Sequence, residues 1–92
     1  MLQDFLQVKR LEGYGLTDLP NFKSKFSSGM DICANFLATD IKKEALIPAS
    51  GRKIINTGLA IEIPKNCEGQ IRSRSGLSID HGVIVLNSPG TI

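Results

Sequence analysis

The chain contains no tryptophan, one tyrosine, one histidine and two cysteines among its 92 residues. Each scarcity removes a class of function. A lone His81 has no second histidine with which to build a metal site, and nothing in the pattern pairs it with a nucleophile. It reads as a packing or surface residue. Cys33 and Cys67 are far apart and follow no Cys-x-x-Cys spacing. With His81 they fall short of the four ligands that zinc takes, so a metal centre of that kind is excluded. Both are expected as small buried thiols, because cysteine is among the most often buried residue types and cytosolic thiols stay reduced. Aromatics make up only 5% of the chain and the formal net charge is only +2. That combination supplies neither the stacking platform nor the basic field of a nucleic-acid-binding protein. No apolar run approaches the roughly 18 residues of a transmembrane helix. The first thirteen residues place Asp4 early and hold no apolar block with a small-residue cleavage site, so a signal peptide is not expected either. These absences point to a cytoplasmic protein with no membrane or nucleic-acid partner. Repeats and low-complexity tracts are also absent.

A hydrophobic fraction of 41% is present, enough for a core. Residues 1–92 are expected to form a single small domain that buries about 60% of its unfolded surface. Gly, Pro, Asn, Asp and Ser punctuate the chain at short intervals without a sustained 3.6-residue stripe. This is the rhythm of short strands in an all-β sandwich or barrel. Residues 5–11 alternate, with Phe5, Gln7 and Lys9 opposite Leu6, Val8 and Arg10. Residues 13–29 read as a loop. Residues 30–38 suit a strand carrying Met30, Ile32 and Ala34 on one face and Asp31, Cys33 and Asn35 on the other. Successive strands are expected over 42–58, broken near Pro48, and over 59–63 with Leu59, Ile61 and Ile63 on a common face. A further strand is expected over 68–74. Residues 75–80 are the one helix candidate, with Ser75 as its cap. The β-branched run at 82–86 predicts a strand, 87–90 a turn, and Gly90-Thr91-Ile92 the opening of another strand.

Three segments stand out chemically. In "RSRSG", residues 72–76, the planar forks of Arg72 and Arg74 suit phosphate oxygens better than a lysine would. Ser75 adds a hydroxyl, and Gly76 lets the backbone approach an anion without a Cβ in the way. In an extended chain Ser73 and Ser75 point away from the arginines, so one site can use Arg74 with Ser75 and Gly76 only if the strand ends near Arg74. A solvated basic strand end is the competing reading. Asp31 interrupts an apolar strand: it is either part of a wet outer face or a carboxylate for a hydrated Mg²⁺, which takes oxygen ligands. Asn87 offers a donor and an acceptor on one amide, suited to the edge of a nucleobase, although such a residue is also common in plain turns.

Taken together, these segments resemble the trimeric dUTP diphosphatase (dUTPase) family. "SGMDICA" is similar to its first motif, and "RSGLSIDHGVIVLNSPGTI" to its second motif running into the third. The resemblance covers the chain from about residue 5 onward. Ser73 departs from it, since many members carry Pro before the Arg. The resemblance implies a jelly-roll-type β-sandwich, the dUTPase-like β-clip, here lacking its C-terminal strands, and a homotrimer with shared active sites. It implies that Arg74, Ser75 and Gly76 bind the triphosphate of dUTP and that Asp31 positions Mg²⁺ through water. It further implies that Asn87 recognises uracil, with main-chain groups of Thr91 and Ile92 against base and sugar. The reaction implied is attack of water on the α-phosphate, giving dUMP and pyrophosphate.

No catalytic residue is expected within the chain, because in the family the water-activating Asp stands directly after the position of Ile92. A positioned base contributes about 10²–10⁴-fold, so these residues alone are expected to bind rather than to turn over. A non-catalytic nucleotide-binding fragment and a dCTP deaminase relative are the alternative readings.

Overall fold

The computed structural model describes residues 6–92, so Phe5 and its strand position lie outside the described residues. The described chain is all-β with short strands and one small helix: β1 (Gln7–Arg10), β2 (Leu59–Glu62), β3 (Gln70–Ile71), α1 (Ser75–His81) and β4 (Gly90–Thr91). β1 pairs with β2, and β3 with β4, in separate two-stranded sheets. The chain divides into two compact units, Val8–Ile61 and a unit that contains Glu62–Ile92.

In the Val8–Ile61 unit, period-two patterning survives where a strand finds a partner. Leu59 and Ile61 are half-buried, whereas Ala60 and Glu62 are exposed, as pleating requires. β1 and β2 are extended at one end by a bond from Leu11 N–H to Gly58 O, 2.8 Å. A polar clasp then closes the unit. Asn35 is buried, at 7% exposure. Its Nδ2 donates to Gly15 O at 2.7 Å, and its Oδ1 accepts from the Phe36 N–H at 2.8 Å. The Asn35 N–H donates to Asn56 O at 2.8 Å. Two backbone bonds, Gly15 N–H to Phe36 O and Ala38 N–H to Gly13 O, flank an isolated antiparallel bridge between Tyr14 and Leu37. Burying an amide costs free energy unless its donors and acceptor are paired, and here both ends of the side chain are.

Several expected strands do not form. Residues 30–38 contribute only the bridge at Leu37, residues 42–58 are irregular, and residues 82–86 run without ladder pairing. Strand propensity requires a continuous neighbouring edge to become a strand; residues 30–38 meet neighbours only at isolated points, the Tyr14–Leu37 bridge with its flanking bonds and the bond from Asn35 N–H to Asn56 O.

The expected hydrophobic core is likewise not found. Among the described residues no hydrophobic side chain is buried, and Phe26, Ile41 and Ile54 are each 90% exposed or more. A two-stranded sheet buries an apolar face only against another layer, and none covers these faces here. The same cause corrects the expectation for the cysteines: Cys33 and Cys67 are exposed free thiols. No helix among the described residues is long and apolar enough to cross a membrane.

Candidate functional site

In the unit containing Glu62–Ile92, β3 leads directly into the site. Ile71 and Ser73 are half-buried, while Gln70, Arg72 and Arg74 are exposed, so the arginines do share the outer face of an extended segment. Along that face Arg72 donates from Nε and Nη2 to Gln70 Oε1, at 3.1 and 2.8 Å. Gln70 Nε2 in turn donates to Glu68 Oε2 at 3.1 Å. The fork of Arg72 is therefore engaged along its own strand.

Arg74 keeps extended dihedrals, φ −87° and ψ 129°, and the helix starts at the next residue. The chain thus turns immediately after Arg74, which is the condition for Arg74, Ser75 and Gly76 to serve one site. One expectation is corrected: the N-cap is Arg74, without a side-chain cap bond, and Ser75 is the first helical residue. The cap position requires extended dihedrals, and the strand conformation persists through Arg74. Ser78 N–H donates to Arg74 O at 3.0 Å, and the amides of Ser75, Gly76 and Leu77 precede this first intrahelical donor. A Cβ built on Gly76 would meet no atom within 4 Å. Packing within the described chain therefore gives no reason for glycine there.

Helix α1 closes at Gly82, whose φ of 65° is left-handed. Gly82 N–H bonds to Ser78 O at 3.0 Å and Val83 N–H to Leu77 O at 3.2 Å, satisfying carbonyls of the last turn. The chain then returns toward β3. Ser73 Oγ accepts from the Val85 N–H at 2.8 Å. On the other side of Arg74, the Ser78 hydroxyl lies 3.1 Å from Arg74 O and 3.3 Å from Val83 O, so its single proton is shared between two carbonyls.

Asn87 sits in the ensuing turn, which Ser88 N–H closes onto Val85 O at 3.1 Å, and the Ser88–Pro89 peptide is cis. The Asn87 amide rests against β4: a Cβ on Gly90 would stand 3.3 Å from Asn87 Nδ2. A side chain at residue 90 would push the amide away, so glycine sets how closely it approaches the sheet. β4 pairs antiparallel with β3 in the register Gln70 with Thr91 and Ile71 with Gly90. Gly69 and Ile92 exchange both backbone bonds, at 3.1 and 2.9 Å. Gln70 and Thr91 are consequently the non-hydrogen-bonded pair, and the N–H and C=O of Thr91 turn to the edge of β4 that faces away from β3. The Ile92 N–H is already committed to Gly69.

Arg74, Ser75, Gly76, Asn87, Thr91 and Ile92 thus fall in one unit, whereas Asp31 belongs to Val8–Ile61. Asp31 is exposed on an irregular segment. No cluster of three or more potential metal ligands occurs among the described residues. A recess of about 200 Å³ in the Val8–Ile61 unit, lined by Leu37, Asp40, Glu44 and Lys53 among others, contains none of the expected site residues. Sequence reasoning missed the ties made by Ser73, Ser78 and Asn35. The one available signal was that Ser73 had to point away from the arginines, into the unit.

The chain is a small all-β fold whose candidate groups are an arginine at the turn into α1, a glycine after it and an amide-bearing turn leading into β4. The chain belongs to the dUTPase family, whose sequence profile matches residues 17–91. It is 40% identical over 87 residues to the deoxyuridine 5'-triphosphate nucleotidohydrolase of Thermoanaerobacter sp. (strain X514), covering 95% of this chain and 55% of that protein. The protein of the same name from Rickettsia prowazekii (strain Madrid E) is 42% identical over 88 residues, covering 95% and 55%. That from Clostridioides difficile is 42% identical over 87 residues, covering 95% and 54%. The chain spans about half the length of the curated relatives it matches.

Proposed function

We propose that this chain is the nucleotide-binding part of an enzyme that hydrolyses dUTP to dUMP and pyrophosphate. The observation that carries the reading is the family match over residues 17–91, a span that contains Asp31, Arg74–Gly76 and Asn87. In this reading residues 1–92 form part of a jelly-roll β-sandwich. The exposed apolar faces are covered in a homotrimer whose subunits share active sites, working in the cytoplasm.

Arg74 donates to phosphate oxygens from the turn into α1, and Ser75 and Gly76 bring a hydroxyl and unobstructed backbone to the same turn. Asn87 reads the base edge, and the outward main-chain groups of Thr91 lie beside it. The Ile92 carbonyl retains one lone pair for the ligand. A single exposed carboxylate fits a hydrated Mg²⁺, because Mg²⁺ binds through one or two carboxylates together with substrate phosphates and water. Asp31 would hold that ion, which supplies charge neutralisation to the triphosphate. The chain's own residues bind and orient; none of them is assigned to activate water.

The test is to incubate the full-length polypeptide with dUTP and Mg²⁺ and quantify products. Equimolar dUMP and pyrophosphate are expected. Ammonia released from dCTP would make it a deaminase instead, and tight binding of a non-hydrolysable analogue without turnover would make it a nucleotide-binding protein.

Gly76→Ala gives a further expected result. Its Cβ enters open space, so stability should change by no more than about 0.5 kcal/mol, as for other exposed substitutions. Analogue binding should nevertheless weaken about fivefold, the loss of roughly one hydrogen bond as the methyl group spaces the phosphate from the turn. Calorimetric titration set beside a melting curve checks both halves.

A further inference from the structure

We propose that Ser73 is a positioning residue that holds the base-reading turn in register with the phosphate-reading turn. The inference rests on the nucleotide-binding reading given above and adds a role to a residue at which this chain departs from the family pattern. Ser73 is half-buried beside Arg74, and its Oγ accepts from the Val85 N–H at 2.8 Å. Val85 belongs to the returning segment, which has no ladder pairing of its own. Its carbonyl accepts from Ser88 N–H at 3.1 Å and so closes the turn that displays Asn87. One hydroxyl therefore connects the residue next to Arg74 with the residue that anchors the Asn87 turn. A proline at residue 73 has no side-chain acceptor and cannot make this bond.

Arg74 and Asn87 are meant to grip opposite ends of one ligand. A ligand that spans both gains from their fixed spacing, because the ordering has been done before it arrives. Without the strap, the segment from Gly82 to Asn87 moves relative to β3, and a spanning ligand must order it on binding. Ligands that occupy only one half are indifferent to the spacing. This contrast separates positioning from mere structural support.

The experiment compares Ser73→Ala and Ser73→Thr with the unchanged full-length polypeptide, using deoxyuridine, inorganic pyrophosphate and α,β-imido-dUTP as probes. Ser73→Ala should weaken the imido nucleotide about fivefold, the loss of one ordinary hydrogen bond. Affinities for deoxyuridine and pyrophosphate taken singly should stay unchanged. Ser73→Thr keeps the oxygen and should restore the nucleotide affinity. In Ser73→Ala the Val85 amide should also exchange faster with solvent, whatever the ligand. A parallel loss for all probes with a lowered melting temperature, or no loss for any, overturns the strap while leaving nucleotide binding by the unchanged protein intact. Failure of the unchanged protein to bind the imido nucleotide overturns the nucleotide reading itself, and with it the role assigned to Ser73.

Discussion

Arg74→Ala is expected to lower both nucleotide affinity and kcat/KM by about 10- to 100-fold, the range for removing a hydrogen bond to a charged group. Arg72→Ala is expected to cost no more than about twofold, as an exposed substitution away from the ligand. The residues are of one type, lie one position apart and share the outer face of one extended segment, so the difference is decided by geometry. Arg72 spends its guanidinium on Gln70 Oε1, within a surface chain that continues to Glu68. Arg74 stands where the strand becomes a helix, next to Ser75 and to a glycine whose Cβ position is open. Arg74→Lys should recover only part of the loss, because an ammonium group cannot reproduce the planar fork. Titration of each variant with α,β-imido-dUTP measures the effect directly. Comparable losses at both positions would place the phosphate elsewhere along the strand.

Gly58→Ala should destabilise the fold by about 2–4 kcal/mol, combining the strain of a left-handed backbone with overpacking. Gly58 has φ +69°, and a Cβ there would lie 2.9 Å from Asn35 Nδ2 and 2.9 Å from both Cβ and Cγ of Tyr14. None of these is the far end of a flexible side chain. The tyrosine atoms are its stem, and the Asn35 amide is held by its bond to Gly15 O. Displacing Asn35 would leave that carbonyl unpaired, adding the cost of a lost buried hydrogen bond. Denaturant unfolding of the full-length polypeptide, with Gly76→Ala as the near-neutral comparison, provides the measurement. A change below about 1 kcal/mol would show that the Tyr14–Asn35–Gly58 contact yields easily, contrary to the overpacking expected of it.

Much of the local structure around the candidate site was legible in the sequence because its signals are local. The alternation of residues 70–74 and the short helix that follows them each depend on neighbours within a few positions. Ser75 was misplaced by one residue, since cap and first helical position differ only in dihedral angles that Ser and Arg both tolerate. The strands expected at 30–38, 42–58 and 82–86 are a different case. Their β-branched and alternating residues express a preference for a pleated surface, but a preference names no partner. Cys33 and Cys67 were misread for the same reason: thiol burial depends on a covering layer, and no local pattern records whether one is there.

By itself the sequence determined the family, the identity of the candidate ligand-binding groups, and the order in which strand end, arginine, helix and amide-bearing turn follow one another. Those properties reside in residue type and spacing. Only the tertiary structure decided that Ser73 accepts from Val85, that Asn35 clasps Gly15 beside a left-handed Gly58, and that Thr91 rather than Ile92 turns both main-chain groups to the open edge of β4. Such facts depend on which distant groups meet and in what register. A hydrogen bond is fixed by a few tenths of an ångström between residues that the chain itself does not mark as neighbours.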